Sequence, residues 1–307
     1  MELSNEIILT LLQLHGVANV TIFKIAQQVK QPLTSVEDLC DFWKTLKGKK
    51  LEEINKNDII EAYDKAKELM ERSEKASIRL ISYYDSIYPD ILRATINEKE
   101  KLDPPLILWY RGDLEVIKMP SVAFIGTREA TPEGVSGGTY LSGEFAKRGF
   151  NIVSGLALGC DTCGHKGALK VGGKTTAFLA NGLDHNSIYP SENKDLAEDI
   201  VSNGGLLLSE YPMGQSVKKY GLVARDRLQA GLSLATIVIQ TGINGGTMHA
   251  ANTTLKANKP LFVMKFKDDA TNNQTQCLGN TLLVNQGAKY ISGRDNIDEI
   301  CQQLLSD

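Results

Sequence analysis

Two apolar segments that end in small-residue turns constrain the fold of this chain most strongly. Residues 122–125 lead into Gly126-Thr127-Arg128, and one helix length later residues 150–153 lead into Ser154-Gly155, with Asp161 a few positions beyond. Each segment is typical of a buried strand, and the turns that follow parallel strands meet at the carboxyl edge of a sheet, where ligands bind. Small turns let a ligand approach the backbone, and the N–H groups of a following helix attract anions. The two turns therefore predict a phosphate-binding pocket that includes Arg128.

Strand and helix patterns alternate from residue 122 almost to the end of the chain. Apolar strand patterns lie at 122–125, 152–153, 175–179, 206–208, 236–239 and 261–264, and helical patterns lie at 133–148, 161–171, 191–203, 246–257 and 295–305. Two earlier segments, 78–82 and 106–110, also have strand patterns. This alternation predicts an α/β fold with a doubly wound, mostly parallel Rossmann-like sheet. We assign residues 76–307 to this domain.

Residues 1–75 have a different pattern, with apolar residues at helical spacing and turn signals at Gly16 and Pro32. They predict a small all-helical N-terminal domain of four or five short helices. The segment from Leu14 to Asn19 weakly resembles the turn of a helix-hairpin-helix, which holds DNA phosphates through backbone amides. Two interpretations stay open for this domain, an interaction or scaffold module and direct contact with DNA.

Composition excludes several classes of protein. Hydrophobic residues make up 42% of the chain and charged residues 23%, as in ordinary globular proteins, and no apolar run approaches the roughly 20 residues that span a bilayer. The first residues lack the pattern of a secretory signal, and five cysteines without framework spacing suggest reduced thiols, so we expect a cytoplasmic protein. Cys160 and Cys163 form a single C-x-x-C without an evident second ligand pair, so neither a metal nor a cofactor is predicted.

Several polar side chains follow the predicted strands and could contribute to the pocket. They are Asp161, His165, Lys218, Lys219, Arg225, Arg227, and the turn Gly246-Thr247 at the start of a predicted helix. The formal net charge of −3 does not exclude a local basic groove. Structural roles compete with binding for each charged side chain. Arg225 and Arg227 flank Asp226 and could form ion pairs, the two lysines could be an ordinary solvated pair, Asp161 could cap a helix, and His165 could pack inside.

The order of these motifs resembles the DNA-processing protein A family (DprA, also called Smf). The resemblance covers roughly residues 80–305. It includes Gly126-Thr127-Arg128, the pattern Ser154-Gly155-x-Ala157-x-Gly159-x-Asp161-x-x-x-His165, Tyr189-Pro190-x-x-Asn193, Leu208-Ser209-Glu210-Tyr211-Pro212, Arg225-x-Arg227 and Gly246-Thr247. The helical N-terminus is similar to the small helical domain that often precedes this fold.

The resemblance implies a cytoplasmic protein that binds single-stranded DNA and loads a RecA-type recombinase onto it, usually as a homodimer and without catalysis. By position, the Gly126-Thr127 turn and Arg128 would hold DNA phosphates, and Lys219, Arg225 and Arg227 would complete the groove. Several cations and amides along one edge would bind successive phosphates, so we expect sequence-tolerant, salt-sensitive binding.

The chain departs from the family pattern at several positions. Leu222 stands where the family usually has an aromatic residue, Asp226 stands where it usually has Asn, and Gln240-Thr241 replaces Glu-Ala. An alternative function therefore stays open, a nucleotide-binding sensor within the broader group of Rossmann-like proteins. A nucleotide hydrolase is disfavoured because Ala250 stands where such a hydrolase has its catalytic glutamate. A third alternative is an oligomeric scaffold with a vestigial pocket.

Overall fold

The computed structural model describes residues 3–306, apart from the side chain of Lys219, and the chain groups into two units. The first unit extends up to Tyr88 and includes Leu106–Leu108, and the second contains Pro89–Pro105 and the chain from Trp109 onward. Within the described residues, no helix is both long and apolar enough to cross a membrane. The predicted domain boundary after residue 75 stays a prediction.

The first unit is mainly helical. Its helices are α1 (Asn5–Gln13), α2 (Asn19–Ala26), α3 (Val36–Trp43), α4 (Lys49–Glu52) and α5 (Lys56–Lys75), followed by strand β1 (Arg79–Ser82). Capping boxes fix the starts of α3 and α5, where Ser35 pairs with Asp38 and Asn55 pairs with Asp58. The apolar stripe predicted from the sequence is buried, because Ile7 and Ile22 have no exposed surface. The predicted helical N-terminal part is therefore confirmed.

The second unit contains a mostly parallel sheet. Its strands are β2 (Ile107–Gly112, of which the part from Trp109 onward belongs to this unit), β3 (Ser121–Ile125), β4 (Asn151–Ser154), β5 (Thr175–Leu179), β6 (Leu206–Ser209), β7 (Ala235–Val238), β8 (Leu261–Met264) and β9 (Lys289–Ile291). They run in the order β2-β6-β5-β4-β3-β7-β8-β9, and every pair is parallel except β2–β6. The predicted fold class is therefore confirmed, with an antiparallel strand added at β2.

Helices connect the strands of this sheet. They are α7 (Pro132–Lys147), α8 (Cys160–Lys170), α9 (Lys194–Ser202), α10 (Lys219–Leu232), α11 (Gly246–Lys256), α12 (Asp269–Asn272) and α13 (Leu278–Asn285); α6 (Asp90–Arg93) precedes β2, and α14 (Ile297–Ser306) follows β9. From β3 the chain builds the sheet in one direction to β6, and then β7 begins on the other side of β3. The strand order therefore reverses between β3 and β7, and ligands bind at such a switch point.

Both faces of the central strands are buried. On one face Phe124 packs edge-on against Phe145, which packs in turn against Phe150, with ring centroids 5.9 and 5.8 Å apart. On the other face Ile125 and Val238 pack in a cluster with residues of α11 and α13. Burial on two sides explains why these strands are continuous apolar runs in the sequence. Each fully buried Phe contributes roughly 1.5–3 kcal/mol, so this core fixes the positions of the turns after β3, β4 and β7.

Candidate functional site

A cleft of about 530 Å³ lies at the switch point, beyond the carboxyl ends of β3 and β7. It is lined by residues from the end of β3 and its turn, from the loop before α8 and the first turn of α8, from α10, and from the loop after β7 together with the start of α11. They are Ile125, Gly126, Thr127, Arg128, Glu129, Ala157, Asp161, Leu222, Val223, Arg225, Asp226, Gln229, Thr241, Gly242, Asn244, Gly245, Gly246, Thr247 and Ala250. Its size falls within the range of about 300–1,000 Å³ that is typical of small-ligand sites.

The turn after β3 is anchored on both sides. The Thr127 amide donates to the Gln240 carbonyl at 2.7 Å, and the Thr127 carbonyl accepts from the Cys160 amide at 3.1 Å. Gly126 is required because a Cβ there would lie 2.4 Å from Cys160 Sγ. This tight packing leaves Arg128 exposed at the cleft. Its guanidinium has no ion-pair partner among the described residues.

The N-terminus of α11 opens into the same cleft. Gly245 is the N-cap residue and provides no side-chain hydrogen bond, and Gly246 and Thr247 form the first turn. The first amides of a helix lack partners within the helix, and the helix dipole places partial positive charge there. Together with Arg128, this helix start can hold an anion such as a phosphate group.

A buried guanidinium and two carboxylates form the wall between α8 and α10. Arg225 is 5% exposed; its Nη1 donates to the Phe178 carbonyl at 3.0 Å and lies 4.0 Å from Asp161 Oδ2, and its Nε lies 3.4 Å from Asp226 Oδ1. Gly155 makes room for it, because a Cβ there would lie 1.4 Å from Nη1. The turn after β4 therefore holds Arg225 in place. Any contact between this turn and a ligand would be a second role.

Burial changes the acidity of both carboxylates. It raises the pKa of Asp226 to about 7, although Arg225 opposes this effect, and it also raises the pKa of Asp161. Asp226 also accepts a hydrogen bond from Gln229 Nε2 at 3.1 Å, and Gln229 is 2% exposed. Gln229 was not among the residues predicted from the sequence, although its spacing of four residues from Arg225 on a helix places the two side chains on one face.

A smaller cavity of about 50 Å³ adjoins the cleft and shares Arg128, Leu222 and Arg225 with it. Tyr189 and Leu158 also line this cavity and are 42% and 38% exposed. These two apolar surfaces beside an exposed guanidinium could pack against a flat ring. Tyr189 belongs to the Tyr189-Pro190 motif, for which no role was predicted from the sequence.

Arg227 does not line the cleft. Its guanidinium makes two hydrogen bonds of 2.8 Å with Glu210 and lies 2.9 Å from Asp103 Oδ2. These contacts make Arg227 an ion-pair partner of Glu210 and Asp103. A role of Arg227 in DNA binding stays a prediction. Lys218 is exposed, with its ammonium 5.9 Å from the Tyr220 ring centroid, and is also outside the lining residues. The Lys219 side chain lies outside the described residues.

His165 and Ser154 are fully buried below the cleft. His165 Nδ1 lies 2.6 Å from Thr175 Oγ1, whose own proton goes to the Ile152 carbonyl, so Nδ1 carries the ring proton and donates. Burial lowers the pKa of His165 to about 3, so the ring is neutral. Ser154 Oγ donates to the Phe124 carbonyl at 2.6 Å. Both side chains pack in the interior here, and their predicted contact with DNA stays untested.

The described residues contain no cluster of three or more His, Cys, Asp or Glu side chains that could hold a metal ion. Cys160 and Cys163 are both buried and free. Cys160 is in contact distance of the Gln240 carbonyl, at 3.9 Å from its Sγ, and so contributes to packing under the β3 turn.

Comparison with known proteins identifies the relatives of this chain. The family model described as DNA recombination-mediator protein A matches residues 79–304, which confirms the resemblance found in the sequence. Protein Smf from Synechocystis sp. is 32% identical over 234 residues, a match that covers 75% of this chain and 56% of that relative. The chain thus matches little more than half the length of this curated relative.

Two solved structures are also similar. The X-ray structure of DNA processing protein A from Streptococcus pneumoniae superimposes with a TM-score of 0.75 and 28% identity, covering 97% of this chain and 99% of that chain. DNA processing protein A from Helicobacter pylori, whose structure concerns its single-stranded DNA binding mode, gives a TM-score of 0.61 and 33% identity. The second match covers 75% of this chain and 96% of that chain.

Proposed function

The chain belongs to the DNA recombination-mediator protein A family, and on this premise we propose that it binds single-stranded DNA in DNA processing. The strand would cross the cleft at the carboxyl ends of β3 and β7. One observation carries the proposal: the exposed Arg128 and the uncapped start of α11 line the same cleft. The H. pylori relative, which binds single-stranded DNA, supports the same class of ligand.

The form of the site favours a flexible strand over a duplex. Phosphates can bind at Arg128 and at the first turn of α11, while a base packs against the exposed surfaces of Tyr189 and Leu158, outside the small adjoining cavity. Stacking on an aromatic ring contributes about 1–3 kcal/mol per base and tolerates any sequence. In a duplex the bases are already stacked on one another, so they cannot reach Tyr189. Tyr189 thus takes over the stacking role that Leu222 cannot fill.

The charges that line the cleft limit the electrostatic part of binding. Arg128 and Arg225 face three carboxylates, Glu129, Asp161 and Asp226. Counterion release scales with the number of phosphates neutralised, with a salt slope of about −0.7 for each phosphate on single strands. We therefore expect a shallow slope of log affinity against log salt concentration, which corresponds to few phosphate contacts within this cleft. Base stacking should then contribute a large share of the affinity.

The experiment is a fluorescence-anisotropy titration with labelled oligothymidine, as a single strand and in a duplex with oligoadenosine, at two salt concentrations. We expect preferential binding of the single strand, weakened by Arg128→Ala and unchanged by Arg294→Ala, which removes an exposed arginine outside the lining residues. Equal or tighter binding of the duplex, or no binding of either, would overturn the proposal. The labelled strand should be recovered intact with Mg²⁺ present, because we propose binding without catalysis.

We further propose that the protein acts in the cytoplasm as a homodimer that hands the strand to a RecA-type recombinase. Support for a second copy comes from exposed apolar side chains: Leu278 and Leu282 on α13 are 43% and 37% exposed, and Ile243 is 55% exposed. Light scattering of the full chain, compared with a Leu278→Glu/Leu282→Glu variant, tests the dimer. Transfer of the strand to the recombinase is tested on DNA covered by single-strand binding protein. We expect recombinase filaments to assemble faster on this DNA when the protein is present.

A further inference from the structure

Two buried polar atoms in the cleft wall lack hydrogen-bond partners among the described residues. They are Arg225 Nε, a donor, and Gln229 Oε1, an acceptor. Both side chains line the cleft and are more than nine-tenths buried, at 5% and 2% exposure. Unsatisfied buried polar atoms are rare in folded proteins because each costs about 1–3 kcal/mol. Their presence in a cleft wall points to a ligand that completes their hydrogen bonds.

The two atoms are neighbours because both side chains contact the same oxygen. Asp226 Oδ1 lies 3.4 Å from Arg225 Nε and accepts from Gln229 Nε2 at 3.1 Å. The other oxygen, Asp226 Oδ2, lies next to the start of α11, 3.5 Å from the place that a Cβ on Gly246 would occupy. The wall thus contains one donor and one acceptor without partners, each covered by neighbouring atoms in this structure, and a carboxylate close to an anion-binding helix start.

Hydroxyl groups match this wall best. A hydroxyl donates one hydrogen bond and accepts others, so it can satisfy Gln229 Oε1 or the Asp226 carboxylate while it accepts from Arg225 Nε. A ribose carries two adjacent hydroxyls, and acidic side chains bind them in dinucleotide-binding folds. The phosphate of the same molecule can lie at the N-terminus of α11, beside Arg128. A deoxyribose lacks one of the two hydroxyls and would leave part of the wall unsatisfied.

We propose that this cleft also binds a ribonucleoside 5′-monophosphate, with the phosphate at the start of α11 and the ribose hydroxyls against Arg225, Asp226 and Gln229. This site goes beyond the proposed function and does not rest on it. A bound ribonucleotide occupies the space of the DNA phosphates, so it competes with the strand.

The test is calorimetric titration of the full chain with AMP, GMP, CMP and UMP, each compared with its 2′-deoxy counterpart. We expect at least one ribonucleotide to bind about fivefold more tightly than its deoxy counterpart, as the loss of one hydrogen bond requires. Gln229→Met keeps the size of the side chain but removes the acceptor, so it should abolish this difference. Gln302→Met, at an exposed position of α14, should preserve it.

The wild-type comparison decides the proposal even if Gln229→Met fails to fold. If none of the ribonucleotides binds, or if each ribonucleotide and its deoxy counterpart bind equally, the ribose site does not exist. Retention of the full difference in folded Gln229→Met also overturns it. DNA binding is measured separately by anisotropy, so failure of the ribose site and failure of the DNA proposal give different results.

Discussion

The carboxylate of Asp226 should make DNA binding depend on pH around neutrality. Burial raises its pKa to about 7, so the group is about nine-tenths protonated at pH 6 and about one-tenth protonated at pH 8. Its Oδ2 lies beside the start of α11, where we place a DNA phosphate. The ionised carboxylate repels that phosphate and the protonated form does not, so affinity should be higher at pH 6 and fall as the pH rises through 7.

The magnitude follows from the separation of the two charges. At about 7 Å and an effective dielectric constant of about 20, the repulsion is about 2.4 kcal/mol, and screening over a Debye length of about 8 Å reduces it to about 1 kcal/mol. Complete ionisation of Asp226 then weakens the affinity for DNA about fivefold. Because Asp226 is only partly protonated at either pH, the affinity should differ about three- to fourfold between pH 6 and pH 8. Asp226→Asn removes the charge with little change in size, so it should raise affinity about fourfold at pH 8 and hardly change it at pH 6.

The assay is anisotropy with an oligothymidine that lacks a terminal phosphate, at pH 6 and pH 8 and at low and high salt. Other charged groups that act on Asp226 are Arg225, Asp161, His249 and Arg128. His249 is half exposed and lies near Glu98, so His249→Gln is the control for the contribution of this side chain. The reasoning is refuted if wild-type affinity is equal or higher at pH 8, or if Asp226→Asn keeps the full pH dependence. A lower melting temperature of Asp226→Asn with unchanged affinity would instead show that Asp226 serves to hold Arg225.

Four further outcomes can be checked on purified protein. Arg128→Ala should reduce the slope of log affinity against log salt by about 0.7, as the loss of one phosphate contact requires, in the anisotropy assay. Gly155→Ala should destabilise the fold by about 1–3 kcal/mol or more in urea unfolding, because the new methyl would overlap Arg225. Lys259→Met should cost about 2–3 kcal/mol in urea, because its ammonium donates to three carbonyls at the end of α10. The five cysteines are all free and buried, so a thiol reagent at pH 8 should modify them only after unfolding.

Each outcome has a counterpart that would contradict it. The salt slope should stay unchanged in Arg294→Ala, and a similar reduction there would indicate a general charge effect. Gly246→Ala should be tolerated, because its new methyl would lie at an ordinary contact distance of 3.5 Å from Asp226 Oδ2. An equal loss of stability in Gly155→Ala and Gly246→Ala would refute the packing argument. Lys267→Met, at an exposed position, should be neutral in urea. Rapid modification of any cysteine in the folded protein would contradict their burial.

Much of the fold could be predicted because local sequence and topology agree. The central strands are buried on both faces, so they appear in the sequence as apolar runs, and their predicted positions lie within two residues of the observed bounds. The turns after residues 125 and 153 were expected at one sheet edge, and β3 and β4 are indeed parallel neighbours. The short strand β9 and helices α6, α10, α12 and α13 were missed. Two of the three residues of β9 are exposed, and α12 is only four residues long, so neither has a strong apolar period.

The sequence by itself determined the parallel α/β fold, the family, and the turn that presents Arg128, because apolar periodicity and small-residue turns are local properties. The tertiary structure alone decided which polar groups face the cleft. The carboxylates that engage Arg227 come from residues 17 and 124 positions away, and the atoms around Arg225 come from β5, α8 and its own helix. Burial then sets the pKa of Asp226 and leaves Gln229 Oε1 without a partner. Desolvation and hydrogen-bond satisfaction depend on the surroundings in space, and no sequence spacing encodes them.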